Sequence, residues 1–292
     1  MVEIIDAEIV INELQHKGII HLTEENIDRK RGTTEGQVYI LYGESTKKYV
    51  LKIDKPENIS YTEKFLHTYE EIYLLPKIIF TDPNKKFILY TFIEGETHFN
   101  RGSKIQWMTC LARDFINNYK KCSEEEEWGR LGLPRRSWHE FNTYSVRGAY
   151  KNLNGILLED DYMNVMRIVN ELSKGEKEEE KHFLHGDTGI HNFVFRNEIL
   201  RGVIDPSPIV GPVLYDFTYA FCSSPDDLET ETLFEAFSHL NNVDIENSRL
   251  IMEVIVQMYT RIGVCAKVHP QDLEEYLVAW QYWKAKMQKC LF

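Results

Sequence analysis

The chain has 292 residues, 43% of them hydrophobic, and this length favours two lobes or domains over one. It carries 34 basic and 46 acidic residues, a net charge of −12, which argues against a nucleic-acid partner. The acidity suits either a cationic small molecule or simply a soluble surface. The chain has no apolar run of roughly 18 residues, no secretory signal at "MVEIIDAEIV" and no C-x-x-C pair among its five cysteines. We therefore expect a reduced, cytoplasmic protein with no membrane segment and no obligate protein partner.

The first 94 residues predict a small sheet with one main helix. After an N-terminal helix and the early strand "GIIHL", the segments "QVYILY" and "KYVLKI" are typical of strands joined by a turn. The stretch "SYTEKFLHTYEEIYLL" has helical spacing. The segments "KIIF" and "KFILYTFI" then predict a further strand pair around the turn at 82–84.

Helical patterns dominate beyond Gly95. Apolar spacing predicts helices over 104–121, 159–174, 227–240, 246–262 and 271–289. A short β segment around 193–205 interrupts them. We therefore predict an α+β protein with an N-terminal lobe, 1–94, and a C-terminal lobe, 95–292.

The segment "FLHGDTGIHNFVF", residues 183–195, contains a polar loop between two apolar runs. The runs "FVF" and "LRGVID" that follow flank a polar connection and predict a β-hairpin. Because a hairpin reverses the chain, Asp205 would return beside Asn192, with Asp187 at the front of the same loop. An amide oxygen and two carboxylates suit a hard cation such as Mg²⁺ and leave one carboxylate free to orient a nucleophile.

These residues carry a resemblance to a known family. "HGDTGIHN" is similar to the H-G-D-x-x-x-x-N catalytic loop of the aminoglycoside phosphotransferase family, the small-molecule relatives of protein kinases. "GVIDPSPIVGPVLYDFTYA" resembles the downstream segment of that family, and the upstream pieces follow in the right order over about 190 residues. The resemblance implies a bilobal protein-kinase-like fold with a small antiparallel-sheet N-lobe and a larger, mainly helical C-lobe.

The resemblance also implies the roles of the loop residues in phosphoryl transfer. Asp187 would orient the acceptor hydroxyl and take its proton, and Asn192 and Asp205 would bind Mg²⁺. His185 would hold the loop backbone by hydrogen bonds. Asp216 would brace the loop from within or cap the helix that follows.

The nucleotide, ATP or GTP, is assigned to the N-terminal lobe by the same resemblance. "YVLKI" resembles the kinase strand whose lysine, here Lys52, binds phosphates, and Glu63 lies eleven residues later at the position of its partner. In "RGTTEGQVY", Thr33 and Thr34 would lend N–H or hydroxyl groups to the phosphates. In "ILYTFIEGE", Ile93 would offer its backbone to the purine, and Tyr90 would line the base pocket and favour guanine.

The acceptor pocket would lie in the helical half. An aminoglycoside needs carboxylates for its ammonium groups, and the acidic candidates are Asp160, Asp161, Glu229, Glu231 and Glu235. The basic segment "GRLGLPRRSW" argues instead for an anionic or neutral acceptor.

The expected function is Mg²⁺-dependent transfer of a nucleotide γ-phosphate to a hydroxyl of a small molecule, with an aminoglycoside-like antibiotic as the leading acceptor. A choline, homoserine, methylthioribose or fructosamine kinase is the first alternative. A nucleotide-binding regulatory protein without turnover is the second, although the intact set of polar residues argues against it. The sequence departs from the common "IDxG" and "HGDL" patterns at "IDPSP" and Thr188, and both departures bear on the acceptor rather than on the reaction.

Overall fold

A computed structural model describes residues 6–30, 36–174, 180–241 and 243–291 of the chain. In the first half, five antiparallel strands form one sheet in the order β1-β2-β3-β5-β4. Their bounds are β1 Leu22–Lys30, β2 Gln37–Gly43, β3 Lys48–Ile53, β4 Ile78–Thr81 and β5 Phe87–Thr91.

The two faces of this sheet are covered by different helices. Successive side chains of a strand point to opposite faces. Phe87 and Leu89 accordingly pack with helix α1, Ala7–His16, while Ile88 and Tyr90 belong to the main core, to which helix α2, Pro56–Thr68, contributes. The sheet is therefore buried on both sides.

The second half is mainly helical. Its helices are α3 Lys104–Asp114, α4 Trp138–Leu153, α5 Glu159–Leu172, α6 Val213–Cys222, α7 Thr230–Phe237, α8 Asn247–Val268 and α9 Leu273–Leu291. Helices α4 and α8 cross closely at Gly263, where a Cβ would lie 2.5 Å from the Cα of Ala149. In the described residues, no helix combines the length and the apolar character needed to cross a membrane.

Two small sheets frame the loop at 185–192. Strands β6 Glu96–Thr97, β10 Phe193–Arg196 and β11 Ile199–Val203 form one, and β7 Trp128–Arg130, β8 Leu133–Arg135, β9 His182–Leu184 and β12 Ile209–Gly211 form the other. The predicted hairpin is present as β10 and β11. Asn197 and Glu198 form its turn, both with positive φ, as a tight hairpin turn requires.

Several predicted helices differ in their bounds. Helix α2 begins at Pro56, which suits a first helical position, and ends at Thr68 rather than near 75. Helix α7 begins at Thr230 rather than 227, since Asp227 has a left-handed φ of 47°. Helix α4 was not predicted, although the Ser137 side chain caps it by accepting the N–H of Glu140.

Candidate active site

The loop after β9 turns sharply at Gly186. This residue has a φ of +76°, and a Cβ there would lie 2.2 Å from the carbonyl oxygen of Ser207. Only glycine suits both the left-handed backbone and the close approach of the neighbouring chain. The turn takes the chain from buried β9 to Asp187, whose side chain is partly exposed.

The side chain of Asp187 accepts several hydrogen bonds. The Tyr219 hydroxyl lies 2.8 Å from its Oδ1, and Nδ2 of Asn192 lies 3.0 Å from its Oδ2. His191 Nε2 lies 3.4 Å from the same Oδ2. Burial would raise the pKa of Asp187, but the hydrogen bonds from His191 and Tyr219 outweigh it and hold this pKa well below its usual range. Asp187 is therefore a carboxylate at neutral pH, able to accept a hydrogen bond from an acceptor hydroxyl.

Asp216 supports the loop from inside the core. Its carboxylate accepts the Tyr119 hydroxyl at 2.5 Å and the backbone N–H of Gly186 at 3.1 Å, and its carbonyl accepts the Thr188 hydroxyl at 2.7 Å. Burial raises the pKa of Asp216 to about 6. The sequence-based expectation of bracing is confirmed. The alternative, a helix cap, is wrong because Asp216 lies inside α6, which begins at Val213.

His185 is a structural residue of the same loop. Its Nε2 lies 3.0 Å from the carbonyl oxygen of Ile204, so this nitrogen carries the proton, and its Nδ1 accepts the N–H of Asp187 at 3.3 Å. The ring lies edge-on to Phe65 of α2. Burial lowers the pKa of His185 to about 4, which keeps the ring neutral at physiological pH.

Asn192 and Asp205 end up side by side, as the hairpin predicts. The N–H of Ile204 donates to the Asn192 carbonyl at 2.9 Å, which places Asp205 at the end of β11 beside the loop. Asp205 has a φ of 56°, and its Oδ1 lies 2.5 Å from Nζ of Lys52, a buried residue of β3. This ion pair joins the five-stranded sheet to the β10–β11 hairpin.

The side chains present suit a hard cation. Asn192 donates through Nδ2 to Asp187, so its Oδ1 is available as a ligand, and Asp205 retains Oδ2 beside the oxygen bound to Lys52. In the described ranges, no three His, Cys, Asp or Glu side chains group around a common metal position. Mg²⁺ commonly uses one or two protein ligands and completes its shell with water and substrate phosphates, so this donor set fits it.

Glu63 does not contact Lys52. It forms an ion pair with Lys85 of the β4–β5 turn at 2.5 Å, whereas the ion pair of Lys52 is with Asp205. The predicted Lys52–Glu63 pair is therefore not present. Thr33 and Thr34 lie outside the described residues.

The connection after β5 has features suited to a purine. Tyr90 is buried on β5 opposite Val50, and burial raises its pKa. In the described part of the chain, neither the backbone N–H nor the C=O of Ile93 has a hydrogen-bond partner. The Ile93 side chain packs over Gly202, where a Cβ would lie 2.5 Å from its Cδ1.

A cavity of about 320 Å³ opens beside the loop, between β7–β8, α4, α6 and α8. Tyr219 lines it and also donates to Asp187, so the cavity is one hydrogen bond from the candidate catalytic carboxylate. Sequence reasoning missed Tyr219, although it lies three residues after Asp216 on one helix. None of the five acidic acceptor candidates lines the cavity, and Asp161 is instead buried in an ion pair with Lys284.

No protein-family profile and no curated protein sequence matches this chain. Solved structures do match along nearly its whole length. The choline kinase LicA from Streptococcus pneumoniae has a TM-score of 0.61 at 14% identity, and alignment covers 97% of this chain and 99% of that one. A choline kinase from Cryptosporidium parvum Iowa II has a TM-score of 0.59 at 12% identity, with 98% and 96% covered.

A third solved structure is the ADP-bound aminoglycoside phosphotransferase APH(2'')-Ib. Its TM-score is 0.57 at 15% identity, with 97% of this chain and 99% of that chain covered. All three align over both the sheet and the helical half. The chain therefore has the bilobal α+β fold of the protein-kinase-like small-molecule kinases.

Proposed function

We propose that this protein transfers the γ-phosphate of a nucleoside triphosphate to a hydroxyl group of a small molecule. The observation that carries the proposal is the convergence of Asp187, Asn192 and Asp205 beside Lys52, from segments far apart in the sequence. Positioning and charge neutralisation account for most of the catalysis in phosphoryl transfer, and these side chains provide both.

In the proposed reaction, the acceptor hydroxyl oxygen attacks the γ-phosphorus as the bond from that phosphorus to the β–γ bridging oxygen breaks. The nucleoside diphosphate leaves with the electron pair. The hydroxyl proton passes to the Asp187 carboxylate and from there to water. Lys52 neutralises phosphate charge, and Asp187 holds the hydroxyl in line.

Asn192 and Asp205 are the residues that would hold Mg²⁺. When bound, the ion would neutralise charge on the phosphate oxygens. Structural neighbours support a nucleotide donor: APH(2'')-Ib is ADP-bound, and a variant of APH(4)-Ia forms a ternary complex with ADP and hygromycin B. The backbone of Ile93 would receive the purine edge, with Thr33 and Thr34 near the phosphates.

The donor preference depends on Tyr90. An aromatic residue at the back of the base pocket narrows the space for adenine and would favour GTP. The ratio of KM values for ATP and GTP measures this preference directly, and a strong ATP preference would reject it. The acceptor expected from the resemblance is an aminoglycoside-like antibiotic, in a cytoplasmic enzyme of antibiotic resistance.

An ADP-release assay over a panel of hydroxyl compounds tests the proposal. We expect Mg²⁺-dependent turnover with at least one compound, and turnover that is lower by roughly 10²–10⁴-fold in Asp187→Ala. Glu171→Gln, an exposed acid on α5, is the control and should retain full activity. Nucleotide binding without turnover for any acceptor would favour a regulatory protein instead.

A further inference from the structure

The cavity beside Asp187 is rich in arginine and has no acid among its described lining residues. Arg130 lies on β7, Arg135 on β8 and Arg261 on α8, and each is partly buried. A protein with a net charge of −12 thus places three positive charges around one cavity. A cationic acceptor would be repelled there.

The three guanidinium groups have no carboxylate partner within the described residues. Arg130 donates to the hydroxyl of Ser207 at 2.6 Å, and Arg135 donates to the carbonyl of Pro134 at 3.0 Å. Arg261 donates to the Tyr276 hydroxyl at 3.0 Å and to the Ser223 carbonyl at 3.2 Å.

Because these hydrogen-bond acceptors are neutral, they do not compensate the positive charge of the three guanidinium groups. A guanidinium carries five N–H groups, and these contacts occupy at most two or three of them in each arginine. A partly buried cation without a counter-ion is costly, and an anionic ligand would offset that cost. Arginine also binds carboxylates and phosphates in a bidentate manner.

Aromatic side chains form part of the cavity wall. Phe141 lies edge-on to Tyr215 at 5.4 Å between ring centroids, and Tyr219 lies 5.8 Å beyond Tyr215. Burial raises the pKa of Tyr219, so its hydroxyl stays protonated and points to Asp187. The cavity therefore offers apolar surface for a ring and arginines for an anion, and the Asp187 carboxylate lies just beyond its wall, hydrogen-bonded to the lining residue Tyr219.

We propose that the acceptor is a small hydroxyl compound that carries an anionic group, a carboxylate or a phosphate, bound by Arg130, Arg135 and Arg261. This assignment of the bound anion as the acceptor rests on the proposed phosphotransferase function. The phosphoryl group transfers to its hydroxyl as in the reaction above, while the anionic group remains unchanged. The aminoglycoside expected from the sequence is then not the acceptor.

A matched set of ring compounds tests the charge preference by calorimetric binding without nucleotide. The probes are 4-(hydroxymethyl)benzoate, the corresponding phosphonate, the neutral amide and the cationic benzylamine. We expect the two anions to bind at least about ten-fold tighter than the amide, and the amine to bind weakest. The anion that binds more tightly shows whether the natural acceptor carries a carboxylate or a phosphate group. Equal binding of all four, tightest binding of the amine, or no binding of any would overturn the proposal.

Arginine variants locate the binding site. Arg135→Gln should weaken anion binding roughly ten-fold with little structural effect, because the contacts of its guanidinium among the described residues are with nearby carbonyls and the Tyr144 ring. Arg261→Gln should weaken it similarly, with its melting temperature recorded as a check on folding. Arg167→Gln, which changes an exposed arginine on α5, is the matched control and should bind as wild type. Unchanged anion affinity in both cavity variants would reject the site.

Nucleotide titration separates the two proposals. If Mg²⁺-ATP and Mg²⁺-GTP fail to bind while the anions bind in the cavity, the phosphotransferase proposal fails and the anion site stands. If nucleotide binds and only cationic aminoglycosides are phosphorylated, the phosphotransferase stands and the anionic acceptor is rejected.

Discussion

At the residue scale, Asp187 is a weak base held in a fixed position. The hydrogen bonds from His191 and Tyr219 lower its pKa, and a low pKa limits how much of the acceptor proton it takes before the transition state. In a loose phosphoryl transfer the attacking oxygen needs little deprotonation. We infer that Asp187 contributes chiefly by orienting the hydroxyl.

Replacing Asp187 by alanine should reduce transfer by roughly 10²–10⁴-fold, because the hydroxyl would lose its orienting acceptor. Nucleotide affinity should remain close to wild type, since Lys52 and Asp205 are retained. Asp205→Ala should instead weaken Mg²⁺-nucleotide binding as well as turnover. Steady-state rates and nucleotide titrations measure both effects, and full activity in both variants would exclude the assignment.

Tyr219→Phe should shift the acidic limb of the pH–rate profile to higher pH. The variant removes one of the hydrogen bonds that hold the Asp187 pKa low, so Asp187 protonates at a higher pH and activity is lost earlier on acidification. The profile of kcat/KM against pH, extended from pH 7 to the lowest pH at which the protein stays folded, provides the measurement, because the pKa of Asp187 lies well below its usual range in the wild type. A lower rate with an unchanged acidic limb would mean that Tyr219 affects the reaction by shaping the cavity and not by lowering the pKa of Asp187.

At the element scale, the crossing of α4 and α8 forms the wall of the cavity. Gly263 permits this crossing, because a methyl group there would overlap Ala149. Phe141 and Tyr144 on α4 and Arg261 on α8 line the cavity between the helices. The separation of these helices therefore sets the width of the cavity.

Gly263→Ala should lower the free energy of unfolding by about 1–3 kcal/mol through overpacking. Gly148→Ala on α4 is a matched control, because a Cβ there meets nothing within 4 Å. That variant should be stabilised by about 0.4–1 kcal/mol through the reduced entropy of the unfolded chain. Urea unfolding of the two variants gives the comparison, and equal stabilities would contradict the steric argument.

The sequence predicts helices and strands well where apolar residues are regularly spaced and turn-forming residues mark the ends of the element. The hairpin over 193–203 and the long helix α8 have clear apolar periods, and both are present. Helix α4 escaped prediction because Asn, Thr, Tyr, Ser and Val are modest helix formers and Gly148 weakens the pattern. Its stability comes from packing against α8, which a local pattern does not reveal.

The position of Glu63 shows why spacing alone did not predict every contact. Phe65 faces His185, and residues two positions apart on a helix differ by about 200° around its axis. Glu63 therefore points away from His185 and pairs with Lys85. A loop and a hairpin, both readable from the sequence, are enough to bring together Asp187, Asn192 and Asp205. The predicted Lys52–Glu63 pair depended instead on how helix α2 is rotated about its axis, which spacing does not reveal. Two of the cavity arginines, Arg130 and Arg135, lie in the basic segment "GRLGLPRRSW", which already argued for an anionic or neutral acceptor, whereas Arg261 on α8 is brought to them only by the fold.

At the scale of the whole molecule, two buried groups beside the loop titrate in opposite senses. Asp216 has its pKa raised from 3.8 to about 6, so it contributes stability at low pH that is lost as the pH rises through 6. His185 has its pKa lowered from 6.5 to about 4, so it favours the folded state increasingly as the pH rises over the same range. Their contributions oppose each other between pH 4 and 6.

Asp216→Asn should remove the contribution of Asp216, which falls as the pH rises, and leave that of His185. The free energy of unfolding should then rise more steeply than in wild type between pH 4 and 6, by about 1.4 kcal/mol per pH unit. Urea titrations at pH 4, 5 and 6 measure the slopes. Asp160→Asn, which replaces an exposed acid on α5, serves as the control for the loss of one surface carboxylate. Parallel curves for wild type and Asp216→Asn would show that Asp216 has an ordinary pKa.

The contact between Ile93 and Gly202 also has a consequence for the choice of phosphate donor. Gly202 lies three residues before Asp205, and its lack of a side chain leaves the space that Ile93 occupies. A larger residue at 202 would displace the Ile93 backbone that is proposed to receive the purine. Donor selectivity would then depend on a residue of the β10–β11 hairpin as well as on the residues proposed to receive the base.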